Sequence, residues 1–480
     1  MPEETLKQKT AKGLFWGGMS NGVQQFLGML FGIYLARILD AEDYGLVGML
    51  SIFSAVASTI INSGFSVALT NKQNATHKDY NAVFWFTFFV GLLCYVILFF
   101  AAPLISEFYN RPELTNLSRV VFLSFFVSGC ASVSYTILYK RLMVKLQAQI
   151  DITSMSISGI IGVILAVKGY AYWALALQSV VFIFLGALLR FIMASWRPSF
   201  EFDFKPLKSM FSFSVKLFFT NIFIQINNNV FSVLLGRFYS ATQVGYYSQG
   251  YKWMGMGHSM IGGMINSVAQ PVLVETSHDV ERLKNAFRKM VRFGAFISFP
   301  LMLGLAYIGR EFIIITIGEK WLPCVIFLQL FCIWGAIIYI RNLYISLLMT
   351  LGKSDVYMWG TILTGILQIL VIVATLSFGI YAMVIGYIIS SFIGMYWWQI
   401  YLNKTISLRS LDILKDIFPY FSMTVISFFI TNCILTIVEN EVLCLILKII
   451  LSGCFYISGL WLSNSKILKE SIEFLLKKTR

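Results

Sequence analysis

Charge is what this sequence has least of. Only 12% of its 480 residues are Asp, Glu, Lys or Arg, about half the share in a soluble domain. That scarcity excludes a soluble globular enzyme, a disordered chain and a fibrous protein. Histidine occurs three times and cysteine seven. No cysteine pair is spaced CxxC, and no histidine stands at metal-ligand spacing from one, so Cys94, Cys130, Cys324, Cys332, Cys433, Cys444 and Cys454 read as buried small hydrophobes. No metal and no cofactor is expected. No Walker A motif is present, so ATP is not the direct energy source. The start, MPEETLKQKTAKG, lacks a small-residue cleavage site after a short apolar core. It reads as leading into an uncleaved first helix.

What is present is apolar. Hydrophobic residues make up 58% and aromatics 16%, and the mean hydropathy is +0.76. The few charges are lopsided, 37 Lys and Arg against 23 Asp and Glu, for a net +14. Basic chains often bind nucleic acid. One this apolar would not stay in solution to do so, and no nucleic-acid partner is expected. Basic loops on one side of a polytopic membrane protein explain the charge better.

A helix needs about 20 apolar residues to cross a bilayer core. Such runs occur at 13–36, 44–69, 81–105, 114–138, 147–167, 170–194, 209–235, 244–272, 293–317, 322–350, 356–378, 380–402, 417–438 and 442–463. Helices five and six nearly touch at Lys168-Gly169, and eleven and twelve at Ser377-Phe378-Gly379, so both turns must be tight. Placing the amino terminus in the cytoplasm and alternating puts 26 Lys and Arg inside, six outside and five at membrane depth. The positive-inside rule favours this arrangement, with both termini cytoplasmic.

An internal repeat lies at an offset of 200 residues. Asn21, Gln25, Phe31, Leu35, Arg37, Ala41 and Gly45 match Asn221, Gln225, Phe231, Leu235, Arg237, Ala241 and Gly245 without gaps. The offset covers six helices, an even number, so the halves share one orientation and suit alternating access about a central cavity. The expected architecture is all-α: about fourteen transmembrane helices in two parallel-repeat lobes plus two extra helices. Residues 1–205 form the first lobe and 206–405 the second. Residues 406–480 hold helices 13 and 14 and a basic tail. The loop WRPSFEFDFKPLKSM at 196–210 is the natural hinge.

Polar stripes mark the faces that could line the cavity. Asn21, Gln25, Gly28 and Gly32 share one face of helix 1. Asn221, Gln225, Asn228 and Ser232 answer in helix 7. Small and amide residues also glue membrane helices together, but three consecutive asparagines, Asn227 to Asn229, cannot all face one neighbour. Five cations, Arg119, Lys216, Lys252, Arg341 and Lys448, fall at membrane depth. Such residues either snorkel to headgroups or face a bundle interior or water-filled path. No acid stands deep in the membrane to pair with them, and unpaired cations imply an anionic visitor. Asp151, about one turn from the inner face, is the only candidate for a coupling carboxylate. The substrate-binding candidates are therefore Lys216, Lys252, Arg341, Asn228, Asn21, Gln25 and Gln225.

The opening KGLFWGGMSNGVQQFLGMLFGIYLARILDAEDYG resembles that of bacterial polysaccharide-biosynthesis flippases, members of the multidrug/oligosaccharidyl-lipid/polysaccharide exporter superfamily. YKRLMVKLQAQID (139–151), RPSFEFDFKPLKSMFSFS (197–214), GRFYSATQVGYYSQGYKW (236–253) and ERLKNAFRKMVRFGAFISFPLMLGLAYIGREFIIITIGEKW (281–321) are similar as well. The resemblance is closest to lipopolysaccharide, O-antigen and colanic-acid-type exporters and weakest over the last two helices. It implies two six-helix lobes around a V-shaped cavity lined by helices 1, 2, 7 and 8, in the bacterial inner membrane. The implied cargo is an undecaprenyl-pyrophosphate-linked oligosaccharide, with proton or sodium as a candidate coupling ion. Lys216, Lys252 and Arg341 are the nearest candidates for the pyrophosphate.

Two other readings compete. A multidrug or small-solute antiporter on the same fold would need a working deep carboxylate. A membrane glycosyltransferase or polymerase would need acids or arginines on large outer loops. Here those loops are short, and their tight acidic cluster, Asp40, Glu42 and Asp43, reads as solvated.

Overall fold

The computed structural model describes residues 6–62, 65–203, 205–435 and 440–477. Side chains are described outside 6–15, 61–62, 67, 209–220, 266–267, 472 and 474–477. Among the described residues the regular secondary structure is all helical, with no strand. In hydrocarbon a helix satisfies every backbone amide within its own segment, which is why apolar runs of this length adopt it.

The chain divides into two units, Met1–Gly245 and Tyr246–Arg480. The first holds α1 (Leu6–Ile38), the broken segment α2 (Ala41–Met49), α3 (Ser51–Asn62) and α4 (Phe65–Asn71), then α5 (His77–Tyr109), α6 (Glu113–Lys140), α7 (Val144–Val167), α8 (Tyr172–Met193) and α9 (Lys205–Phe238). α10 (Ala241–Thr276) begins at its end. The second unit continues with α11 (Val280–Tyr307), α12 (Gly309–Thr316), α13 (Cys324–Thr350), α14 (Ser354–Ala374), α15 (Ile380–Ile406), α16 (Ser410–Ile434), α17 (Glu441–Leu462) and α18 (Lys466–Lys477).

Among the described residues, twelve of the fourteen expected spans fall on a single helix, 293–317 on the broken pair α11 and α12, and 44–69 on α2, α3 and α4. Eleven segments are long and apolar enough to cross a membrane among the described residues. The three expected spans outside that set lie on α1, α9 and α10, which carry the polar stripes. The tight turns are present, Gly169 with φ +82° and Gly379 with φ +94°, a left-handed backbone open to glycine at little cost.

Small residues and hydroxyls join the helices, as expected where lipid removes the hydrophobic drive between them. A Cβ on Gly129 of α6 would stand 2.5 Å from the Thr87 carbonyl oxygen of α5. Beside it, Thr87 Oγ1 and Ser132 Oγ share a 2.8 Å hydrogen bond.

The sharpest close approach joins the two repeats. A Cβ on Gly45 would lie 1.7 Å from the Ala241 carbonyl oxygen, and one on Gly245 would lie 1.9 Å from that of Ala41. Residues matched at the 200-residue offset thus meet reciprocally, as around a local two-fold axis. More polar contacts gather at the same end. Arg237 Nη1 donates to the Phe108 carbonyl at 2.5 Å, Tyr109 donates to the Met49 carbonyl at 3.2 Å, and Arg111 meets Glu42 at 2.7 Å.

The expected hinge is a strap along its first half. Asn81 on α5 donates to the Glu201 carbonyl at 2.6 Å and accepts from the Ser199 amide at 2.9 Å. The Trp85 indole donates to the Ser199 carbonyl at 2.8 Å, and the Trp196 indole donates to His77 Nδ1 at 2.9 Å. These part-buried hydrogen bonds tie residues 196–201 to the start of α5.

Candidate functional site

The candidate residues lie in both units. In the first, α1 packs on α7, while α9 packs on α2, α3, α4 and α5. Asn21 and Gln25 of α1 are exposed, as is Asn228 of α9, and Gln225 is half-buried. Asn229 turns back on its own helix, donating to the Gln225 carbonyl at 2.9 Å, so part of the asparagine run is spent locally. The Lys216 side chain lies outside the described residues.

In the second unit, Lys252 of α10 and Arg341 of α13 are both half-buried. Neither makes an ion pair among the described residues. Arg341 instead places its guanidinium 5.9 Å from the ring centre of Trp398 on α15, within reach of cation–π attraction. Its charge also acts on the hydroxyls of Tyr251 on α10 and Tyr387 on α15. Tyr251 packs edge-on against Phe331 of α13 at 5.4 Å, and Tyr247, one turn away, does the same at 5.3 Å. Three helices therefore converge on one cation-bearing aromatic patch. Such a patch can hold an anion through the guanidinium, with Tyr251 as its exposed aromatic face. The aromatic part was missed from the sequence. Its signal was Tyr247 and Tyr251 at helical spacing beside Lys252.

The other membrane-depth cations separate from these. Lys448 of α17 pairs with Glu311 of α12 at 2.8 Å, with both side chains largely buried. This corrects the expectation that no acid stands deep enough to pair. Counting along the sequence put Glu311 in an outer loop, whereas the chain breaks at Ile308 and α12 packs back on α17. Arg119 lies over the Phe99 ring at 4.5 Å. Asp151 of α7 is ion-paired with Arg190 of α8.

No group of three or more metal-ligating side chains occurs among the described residues. All seven cysteines are free. Cys324 and Cys332 are buried as expected, but Cys433 and Cys454 are exposed on the helical surface.

Comparison with known proteins gives the following. The family described as "Polysaccharide biosynthesis protein" matches residues 34–326. An uncharacterized membrane protein in the cps region of Klebsiella pneumoniae is 26% identical over 97% of each chain. The teichuronic acid biosynthesis protein TuaB of Bacillus subtilis is 26% identical over 74% of each. Among solved structures, the lipid II flippase MurJ in an inward closed conformation has a similar fold. Its TM-score is 0.76 at 15% identity, covering 92% of this chain and 98% of that one.

Proposed function

The chain belongs to the polysaccharide biosynthesis protein family, and on that premise we propose that it is a flippase. Its cargo is an undecaprenyl-pyrophosphate-linked oligosaccharide, carried across the bacterial inner membrane by alternating access. The observation that carries this reading is the pair Lys252 and Arg341. Both are cations at membrane depth without an acid partner among the described residues. A charge left unpaired there is costly, and a pyrophosphate supplies the missing counter-charge. Arg can grip it through two parallel N–H donors. The exposed Tyr251 offers a face for a sugar ring, and Asn21, Gln25, Gln225 and Asn228 offer amides for hydroxyls. Lys216 belongs to the same proposal by its depth in α9. The isoprenoid tail stays in lipid.

The repeat supports the transport mode. Two six-helix lobes, 1–205 and 206–405, rock about the cavity, with both termini in the cytoplasm. The reciprocal Gly45–Ala241 and Ala41–Gly245 contacts join matched residues of the two repeats. The protein makes and breaks no covalent bond.

Deletion in the host tests the reading. The lipid-linked unit should accumulate on the cytoplasmic leaflet and the surface glycan should disappear. Lys252→Ala or Arg341→Ala should weaken binding of the pyrophosphate lipid about ten- to a hundredfold, the value of one charged hydrogen bond. An unchanged leaflet distribution in the deletion strain would refute the proposal.

A further inference from the structure

A second basic cavity, of 340 Å³, lies in the second unit between α11, α16 and the α17–α18 corner. Its acids are already engaged. Asp416 takes Arg288 in a two-point grip, Nε to Oδ2 at 2.7 Å and Nη2 to Oδ1 at 3.1 Å. Glu470 takes Lys289 at 2.6 Å. That leaves Lys415 and Lys466 on the cavity wall without an ion pair among the described residues, while Arg292 shares Asp416 with Arg288. Arg292 Nε is buried, 3.9 Å from the engaged Asp416, and has no hydrogen-bond partner. Ser463, Ser465 and Tyr420 add hydroxyls to the same wall. The site thus presents two unpaired lysines, an arginine that only shares its carboxylate, and neutral donors, the equipment for one phosphate.

The flanks tell which phosphate. Leu414 and Phe418 precede and follow Lys415 on α16 and are exposed, as are Trp461 and Leu462 at the end of α17. Pro419, Leu460 and Ile467 continue the apolar surface into the cavity. A free anion would use the cations and leave this surface bare. A Trp at a helix end beside a basic pocket fits the membrane–water boundary. We propose that this cavity binds the phosphodiester headgroup of an anionic phospholipid, whose acyl chains lie along Leu414, Phe418 and Trp461. The lipid would brace α11, α16 and the α17–α18 corner. The site shares no residue with the cargo candidates and does not depend on the flippase reading.

The test uses the full chain in phosphatidylcholine nanodiscs with and without phosphatidylglycerol, read by thermal unfolding and by lipid retention in native mass spectrometry. Phosphatidylglycerol should raise the unfolding temperature and remain bound. Inorganic phosphate added to phosphatidylcholine nanodiscs should do neither. Lys415→Gln and Lys466→Gln, at exposed positions that the fold does not need, should each weaken phosphatidylglycerol retention about fivefold. Arg292→Gln should do so at least as strongly. Equal stabilisation by both lipids, reproduction of the shift by phosphate, or unchanged retention in the two Lys variants would each overturn the proposal.

Discussion

Adding one methyl group at Gly45 tests the contact between the two repeats. In Gly45→Ala the new Cβ would fall 1.7 Å from the Ala241 carbonyl oxygen, so the segments must part by about 1.7 Å to reach ordinary contact at 3.4 Å. Backbone cannot swing aside as a flexible side chain can. Overpacking of this kind costs about 1–3 kcal/mol. Gly245→Ala meets Ala41 at 1.9 Å and demands a similar shift. Because the two contacts are reciprocal, the separation forced by one substitution relieves the other. The double variant should therefore cost clearly less than the sum of the singles, a coupling well beyond the roughly 0.3–0.5 kcal/mol scatter of independent sites. Reversible unfolding of the four proteins in detergent, with Gly18→Ala as a control, measures this cycle. A Cβ on Gly18 meets nothing within 4 Å. Strict additivity, or a Gly45→Ala protein as stable as the control, would refute the reciprocal packing.

The remaining predictions concern charge and the strap. Lys448→Ala should destabilise the protein by about 3 kcal/mol, because it strands Glu311 in a largely buried pair; thermal unfolding checks it. Arg119→Ala should change binding of the pyrophosphate lipid less than Lys252→Ala or Arg341→Ala does, since Arg119 is already seated on Phe99; a binding titration compares them. Asp151→Asn should lower stability while leaving transport ion-coupling unchanged, because Arg190 already holds that carboxylate; abolished proton-coupled efflux would instead point to an antiporter. Asn81→Ala removes both hydrogen bonds to the strap, and limited proteolysis should then cut residues 197–203 faster than in the wild type.

Much of the architecture was legible because lipid narrows the choices. A run of about 20 apolar residues in a bilayer has little alternative to a helix, so Gly169 and Gly379 could be placed as tight turns before any coordinates. The 200-residue repeat was equally plain, since Asn21, Gln25, Ala41 and Gly45 recur in register at a polar or small position. Legibility failed where distant residues meet. Glu311 looked like a loop acid until α12 turned it onto Lys448, and the aromatic patch around Arg341 needs three helices far apart in the chain.

The sequence by itself determined the helical class and the repeat, and it set five cations apart inside apolar runs. All of these follow from composition and period under one solvent constraint. Only the tertiary structure decided which of those cations have partners. Pairing depends on distances of a few ångströms between helices, and no one-dimensional pattern encodes them. Lys448 and Asp151 have acid or base partners, whereas Lys252 and Arg341 make no ion pair among the described residues.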